Sequence, residues 1–183
     1  VTGNIGATTD PGAFTVSSSS QVDLANVETT SGNIAVTGTN IDLNSTTYTT
    51  TTSGNVTFTG AVDLTAGAAT TTVNTSSGNG NITFTSTIDD DNASETALTL
   101  TAGTGAVDLQ GNVGATTDPD AFTVTSAAQV DLLDVGVTAA NIAVTGTNID
   151  LLGTSYVTTT SGTITFTGAV DLDVAGGTVT VNT

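Results

Sequence analysis

"NIAVTGTNIDL" occupies residues 33–43 and returns letter for letter at residues 141–151, 108 residues further on. Side chains alternate between the two faces of a β-strand. On that rule Ile34 and Val36 share one face with Ile41 and Leu43, while Ala35 and Asp42 face the other way. The stretch therefore reads as two short strands, each with an apolar inner face and a small or acidic outer one. Its repetition poses a question about architecture before any about chemistry.

Shifting the chain by 108 aligns residues 1–75 with 109–183 without a gap, and 50 of those 75 positions are identical. Asp10-Pro11 falls on Asp118-Pro119, Tyr48 on Tyr156, and Val73-Asn74-Thr75 on Val181-Asn182-Thr183. Residues 1–183 thus read as one continuous array, with residues 1–108 a first unit and residues 109–183 a partial second one. Both ends fall inside the repeat, as expected of a window on a tandem array.

A shorter rhythm lies inside the long one. Apolar-Asp-Leu triplets begin at Val22, Ile41, Val62 and Val107 in the first unit, and at Val130, Ile149 and Val170 in the second. Apolar-x-apolar triplets precede them, beginning at residues 14, 34, 56, 82, 98 and 122. Those starts are 20, 22, 26, 16 and 24 residues apart, so five steps of roughly twenty residues fill one unit. A third, Thr-rich segment completes most steps, as at 48–52 and 70–75, and Gly-Asn or Thr-Gly pairs punctuate the strands as turn residues do. Three short strands per step predict an all-β chain folded as a parallel β-solenoid, five coils to the 108-residue unit. The crossover rule for parallel strands makes it right-handed. At about 4.8 Å per coil, one unit advances about 24 Å. The alternative is a string of immunoglobulin-like β-sandwiches, whose usual size the unit also matches; that fold needs no twenty-residue echo.

Composition removes whole classes of function. There is no Lys, Arg, His, Cys, Met or Trp, and 17 carboxylates give a formal charge of −17. Salt bridges between side chains, disulfides and thiolate metal sites are excluded. Most routes to general-base or nucleophilic catalysis close with them. Paired carboxylates can cleave glycosides, but here Asp recurs coil after coil, which suits a lattice better than one tuned pair, so no enzyme is expected. Nucleic acid is excluded as a partner, since binding it rests on cations that neutralise phosphate. No run of about 18 apolar residues predicts a membrane span, and a signal peptide would need basic residues that are missing. Thr supplies 45 of the 183 residues, which favours strands.

The partners such a chain calls for are cations. The outward residues Asp23, Asp42, Asp63, Asp108, Asp131, Asp150 and Asp171 would form a ladder if their strands share a sheet, with neighbours about 5 Å apart. Unit charges at that distance repel by about 0.8 kcal/mol even in water. Bound Ca²⁺, which accepts carboxylate oxygens in loose geometry, would offset that; the alternative is a solvated surface screened by salt. A sharper metal candidate is "DDDNASE", residues 89–95, in which Asp89, Asp90, Asp91 and Glu95 could wrap one hard cation. It lacks the glycine and the alternate spacing of an EF-hand loop, and an acidic surface turn is the competing reading. Asp10, Asp118 and Asp120 close the last turn of each unit and are weaker versions of the same site.

Other recurring residues read as structural. Asn33, Asn55, Asn81, Asn112 and Asn141 each precede a strand and are placed to stack as an amide ladder at a corner. Phe14, Phe58, Phe84, Phe122 and Phe166 fall on inward positions as a core stack. Asn-x-Ser/Thr sequons at Asn44, Asn55, Asn74, Asn81 and Asn92 are expected by chance in so Thr-rich a chain.

Two stretches, "ALTLTAGTGAVDLQGNVGATTDPDAFTV" (97–124) and "GNITFTSTID" (80–89), resemble the β-strand repeats of very large bacterial surface proteins and of filamentous-haemagglutinin-type secreted adhesins. The resemblance covers essentially the whole chain. It implies a β-helical, fibrous protein, extracellular or at a bacterial cell surface. Such adhesins usually carry basic residues, and this chain has none. The function expected is therefore a structural module of a long extracellular filament or biofilm matrix fibre, stacked coaxially on further copies of the same repeat. The alternatives are the stalk or binding region of an adhesin with a glycan or cell-surface ligand, and an ice-binding solenoid. "YTTTT" (48–52) and "YVTTT" (156–160) suggest the last, although Thr-x-Thr does not keep register through all the coils in the sequence.

Overall fold

The computed structural model describes residues 3–67, 69–91, 95–174 and 176–183. The sequon at Asn92 lies outside them, as does the middle of the acidic stretch 89–95. The described residues form eighteen strands and no helix, and every strand pairing among them is parallel. The chain is a β-solenoid of about seven turns. Successive coils stack in register on three sides around one apolar core.

The opening sequence explains the local geometry. Ile34–Leu43 runs along one side, turns a corner at Gly38, and continues along the next. Its apolar residues Ile34, Val36, Ile41 and Leu43 are buried, while Ala35 and Asp42 are half-exposed. The same corner recurs one coil higher at Gly60. A Cβ there would collide with the carbonyl oxygen of Gly38, and its φ of 128° suits glycine alone.

Three columns describe the whole solenoid. The first side stacks Phe14, Ile34, Val56, Ile82, Val107, Val130, Ile149 and Val170. The second stacks Val22, Ile41, Val62, Ile88, Val113, Val135, Tyr156 and Val181. The third stacks Ile5, Val27, Tyr48, Val73, Leu100, Val124, Val144 and Phe166. Coils measured down the first column are 19 to 26 residues long.

The solenoid matches expectation, but the coil count differs. Leu98-Thr99-Leu100 does not open a fresh coil on the first side; it lies over Thr71-Thr72-Val73 on the third. The 16-residue step from Ile82 to Leu98 contains two strands, Ile82–Phe84 and Ile88–Asp90, before the chain reaches the third side. Nothing is skipped: an apolar-x-apolar triplet fits any side, so the next one fills the place that is vacant. From Phe14 to Phe122 the chain therefore passes fourteen sides, one fewer than five full coils. One unit advances about 22 Å instead of about 24 Å. The second unit is consequently turned by one side relative to the first, so Phe14 lies on the first side and its counterpart Phe122 on the third.

The core is correspondingly divided. Phe58 and Phe84 stack at 5.0 Å between centroids on the first side, whereas Phe122 and Phe166 belong to the third. Tyr48 meets Phe58 edge-on at 6.0 Å, and Tyr156 meets Phe166 the same way at 5.8 Å. Both tyrosines are fully buried, and each donates its hydroxyl hydrogen to a carbonyl, Leu24 O and Leu132 O respectively, at 3.0 Å.

Candidate functional site

The outward Asp residues stack as expected, but in two ladders. On the second side Asp23, Asp42, Asp63 and Asp89 lie one above another. On the first side the order is Asp108, Asp131, Asp150 and Asp171. The one-side offset between units causes the split: Asp108 rests on Thr83, not on an Asp. Asp89 joins the lower ladder, which its irregular triplet had concealed.

With no cationic side chain present, five of the ladder carboxylates accept hydrogen bonds from Asn or Gln side chains. Asn40 Nδ2 donates to Asp42 at 2.9 Å and Gln21 Nε2 to Asp23 at 3.1 Å. In the upper ladder Gln129 Nε2 bridges Asp131 at 2.6 Å and Asp150 at 2.9 Å, while Asn148 holds Asp150 at 2.8 Å. Gln110 does the same for Asp108 at 2.7 Å. Burial pushes the Asp42 carboxyl above its ordinary value; a hydrogen bond from Gln21 opposes this, and the neighbouring Asp23 and Asp63 reinforce it.

The acidic stretch 89–95 is laid out differently from a chelating loop. Asp89 and Asp90 are consecutive residues of one strand, so they point to opposite faces. Asp89 Oδ1 accepts the backbone N–H groups of Thr116 and Thr117, at 2.7 and 3.3 Å. Asp90 is buried, and its Oδ2 accepts the N–H groups of Glu95 and Thr96, both at 3.0 Å. Asp91 and Glu95 are exposed. Among the described residues no group of three or more carboxylates is placed to hold a metal ion.

The same use of side-chain oxygens recurs along the corners. Asn33, Asn55 and Asn81 each accept a backbone N–H from the coil above, from Asn55, Asn81 and Ala106, at 2.8 to 2.9 Å. Asn141 does this for Thr163. The ladder is thus side chain to backbone, not amide to amide. Asn26 and its counterpart Asp134 extend it to another corner, each holding two successive N–H groups.

Asp118 and Asp134 border a groove of about 280 Å³ with Gly114, Gly136 and Thr159 along its wall. Thr159 Oγ1 donates to Asp118 at 2.9 Å. The aligned position to Gly136 in the first unit is Glu28, so the two units differ here. Asp120 donates its backbone N–H to Thr96 O at 3.0 Å. Asp10, the counterpart of Asp118, accepts a longer bond of 3.4 Å from Thr51.

No helix among the described residues is long and apolar enough to cross a membrane. No family model matches the chain, and neither a curated protein nor a solved structure matches it.

Proposed function

We propose that this chain is a structural repeat module of a long extracellular filament or matrix fibre, stabilised by cations and extended by further copies of the same repeat. The observation that carries the reading is the absence of a seam between the units. Asp108, the last residue of the first unit, pairs in register with Asp131 of the second, and the column continues to Asp150 and Asp171. A bead-like domain would close its core at that boundary; here Val107 and Val130 are both buried across it.

The deciding measurement is the axial length gained per 108-residue unit, read by electron microscopy of chains lengthened by whole units. The fibre reading expects about 22 Å per unit; a rise nearer the length of a separate sandwich domain would end it. For the cations, millimolar Ca²⁺ is expected to raise the melting temperature more than NaCl of equal ionic strength, by preferential binding to the folded state. Replacing Asp89 and Asp91 with Asn should remove part of that difference. Identical curves in the two salts would leave only screening.

The second reading is the binding region of a bacterial cell-surface or secreted adhesin. It draws on the groove at Asp118 and Asp134, which the first unit does not reproduce because Glu28 stands where Gly136 does. Saturable binding of one glycan, lost on Gly136→Glu, would favour it over the fibre.

A further inference from the structure

The offset between units has brought together residues the sequence keeps apart. On the third side, Thr47 and Thr72 from the Thr-rich strands of the first unit line up under Thr99, Thr123, Ala143 and Thr165. Two residues along each strand lie Thr49, Asn74 and Thr101 in register, then Thr125, which bonds Thr101 across a bulge that sets Thr101 opposite Ser126, and then Thr145 paired with Thr167. Ten of these twelve outward positions are Thr, over six consecutive coils. Spacing is about 4.8 Å from coil to coil and about 6.7 Å from row to row.

Three features of this array stand out against the other sides. It is uncharged: the Asp ladders occupy the first and second sides, and the carboxylate in register with the array is Glu28, one coil below Thr49. Its hydroxyls face outward with little to bind inside the chain; Thr101 and Thr125 share a 3.3 Å bond, while Thr72, Thr99, Thr123 and Thr165 have no side-chain partner among the described residues. It also has no aromatic platform, because Tyr48 and Phe122 on this side point into the core.

We propose that this array is a binding face for ordered water at the surface of ice. A rigid two-dimensional lattice of methyl and hydroxyl groups can hold a matching layer of water, the methyls excluding disorder and the hydroxyls supplying hydrogen bonds. Carboxylates would hinder such contact, since each keeps its own tightly held hydration and loses it at a cost. Segregating them on the other two sides removes that obstacle. Sugar rings are the competing periodic ligand, but they are usually gripped by exposed aromatic faces, and this side has none. The proposal is independent of the fibre reading, because a short array can bind ice whether or not it polymerises.

The test is thermal hysteresis and ice-recrystallisation inhibition by the 183-residue chain, with folding followed by circular dichroism. Thr99→Tyr and Thr123→Tyr each place a bulky ring at the centre of the array without touching the core. Val157→Tyr places the same ring outward on the second side. The proposal expects hysteresis in the parent chain, its loss in whichever array variant keeps the parent melting curve, and its retention in Val157→Tyr. A folded parent without hysteresis overturns the proposal, as does equal loss in all three variants. So does retention on crystalline cellulose or chitin without any effect on ice.

Discussion

Asp90 lies directly above Leu64 in the second column, an inward carboxylate on an inward leucine. Its Oδ2 ties down the amides of Glu95 and Thr96, so the acidic stretch ends in a bond to its own first turn. Asp90→Ala would leave two backbone donors without that acceptor, and is expected to cost about 2 to 4 kcal/mol. Chemical denaturation against the parent chain measures it. Asp91→Ala, at an exposed position, should change stability little.

Acid should favour the fold at Asp42. No carboxylate here is paired with a cationic side chain, but others, such as Asp90, accept backbone hydrogen bonds that protonation would weaken, so the Asp42 effect is read against a variant. Asp42 has its carboxyl raised by burial and by Asp23 and Asp63. A raised folded value means the protonated form suits the fold better, so its contribution is complete below the ordinary value of 3.8 and is lost as pH rises above it. The melting temperature of the parent chain relative to Asp42→Asn is therefore expected to rise between pH 7 and pH 4. A parent-to-variant difference that shrinks on acidification would refute this.

Base is the vulnerable direction. Burial pushes the Tyr156 hydroxyl up to about 12, and Asp134 adds to the effect; Tyr48 is raised further, again chiefly by burial. Stability from these groups is intact below the ordinary value of 10.0 and disappears as pH climbs through the folded values. Tyrosinate absorbance should appear together with loss of β-sheet signal, not before it. Tyr48→Phe, which loses one hydrogen bond to Leu24 O, should lower stability by about 1 kcal/mol.

The corner at Gly60 gives a sharp steric test. Gly60→Ala must relieve both a positive φ and a collision with Gly38 O, so a loss of about 2 kcal/mol or more is expected. Gly67→Ala shares the positive φ, but a Cβ there meets nothing within 4 Å. The difference between the two variants combines the collision with Gly38 O and the greater strain of φ 128° over φ 66°.

Most of the fold was readable in the sequence because a two-residue alternation leaves little freedom: once Ile34 faces inward, Val36, Ile41 and Leu43 must follow. The corner placement of Asn33, Asn55 and Asn81 was legible, since each sits just before a strand, but their bonding to the backbone of the next coil instead of to one another was not. The phase of the coils was not legible. Whether Leu98-Thr99-Leu100 lies over Ile82 or over Thr71 depends on how many strands fit into sixteen residues, and the triplet itself carries no mark of its side. That single ambiguity split one Asp ladder into two and hid the Thr array, because Thr47 and Thr99 belong to different motifs.

A one-side offset per unit makes the molecule a rifled rod. Fourteen sides per unit is not a multiple of three, so any further units of this sequence would turn each feature through a third of a revolution, returning only after three of them. Neutral and acidic patches then alternate along every edge of the shaft. Two such rods lying side by side could match a neutral patch for only a few coils before carboxylates met carboxylates, so lateral bundling would stall while growth along the axis continued.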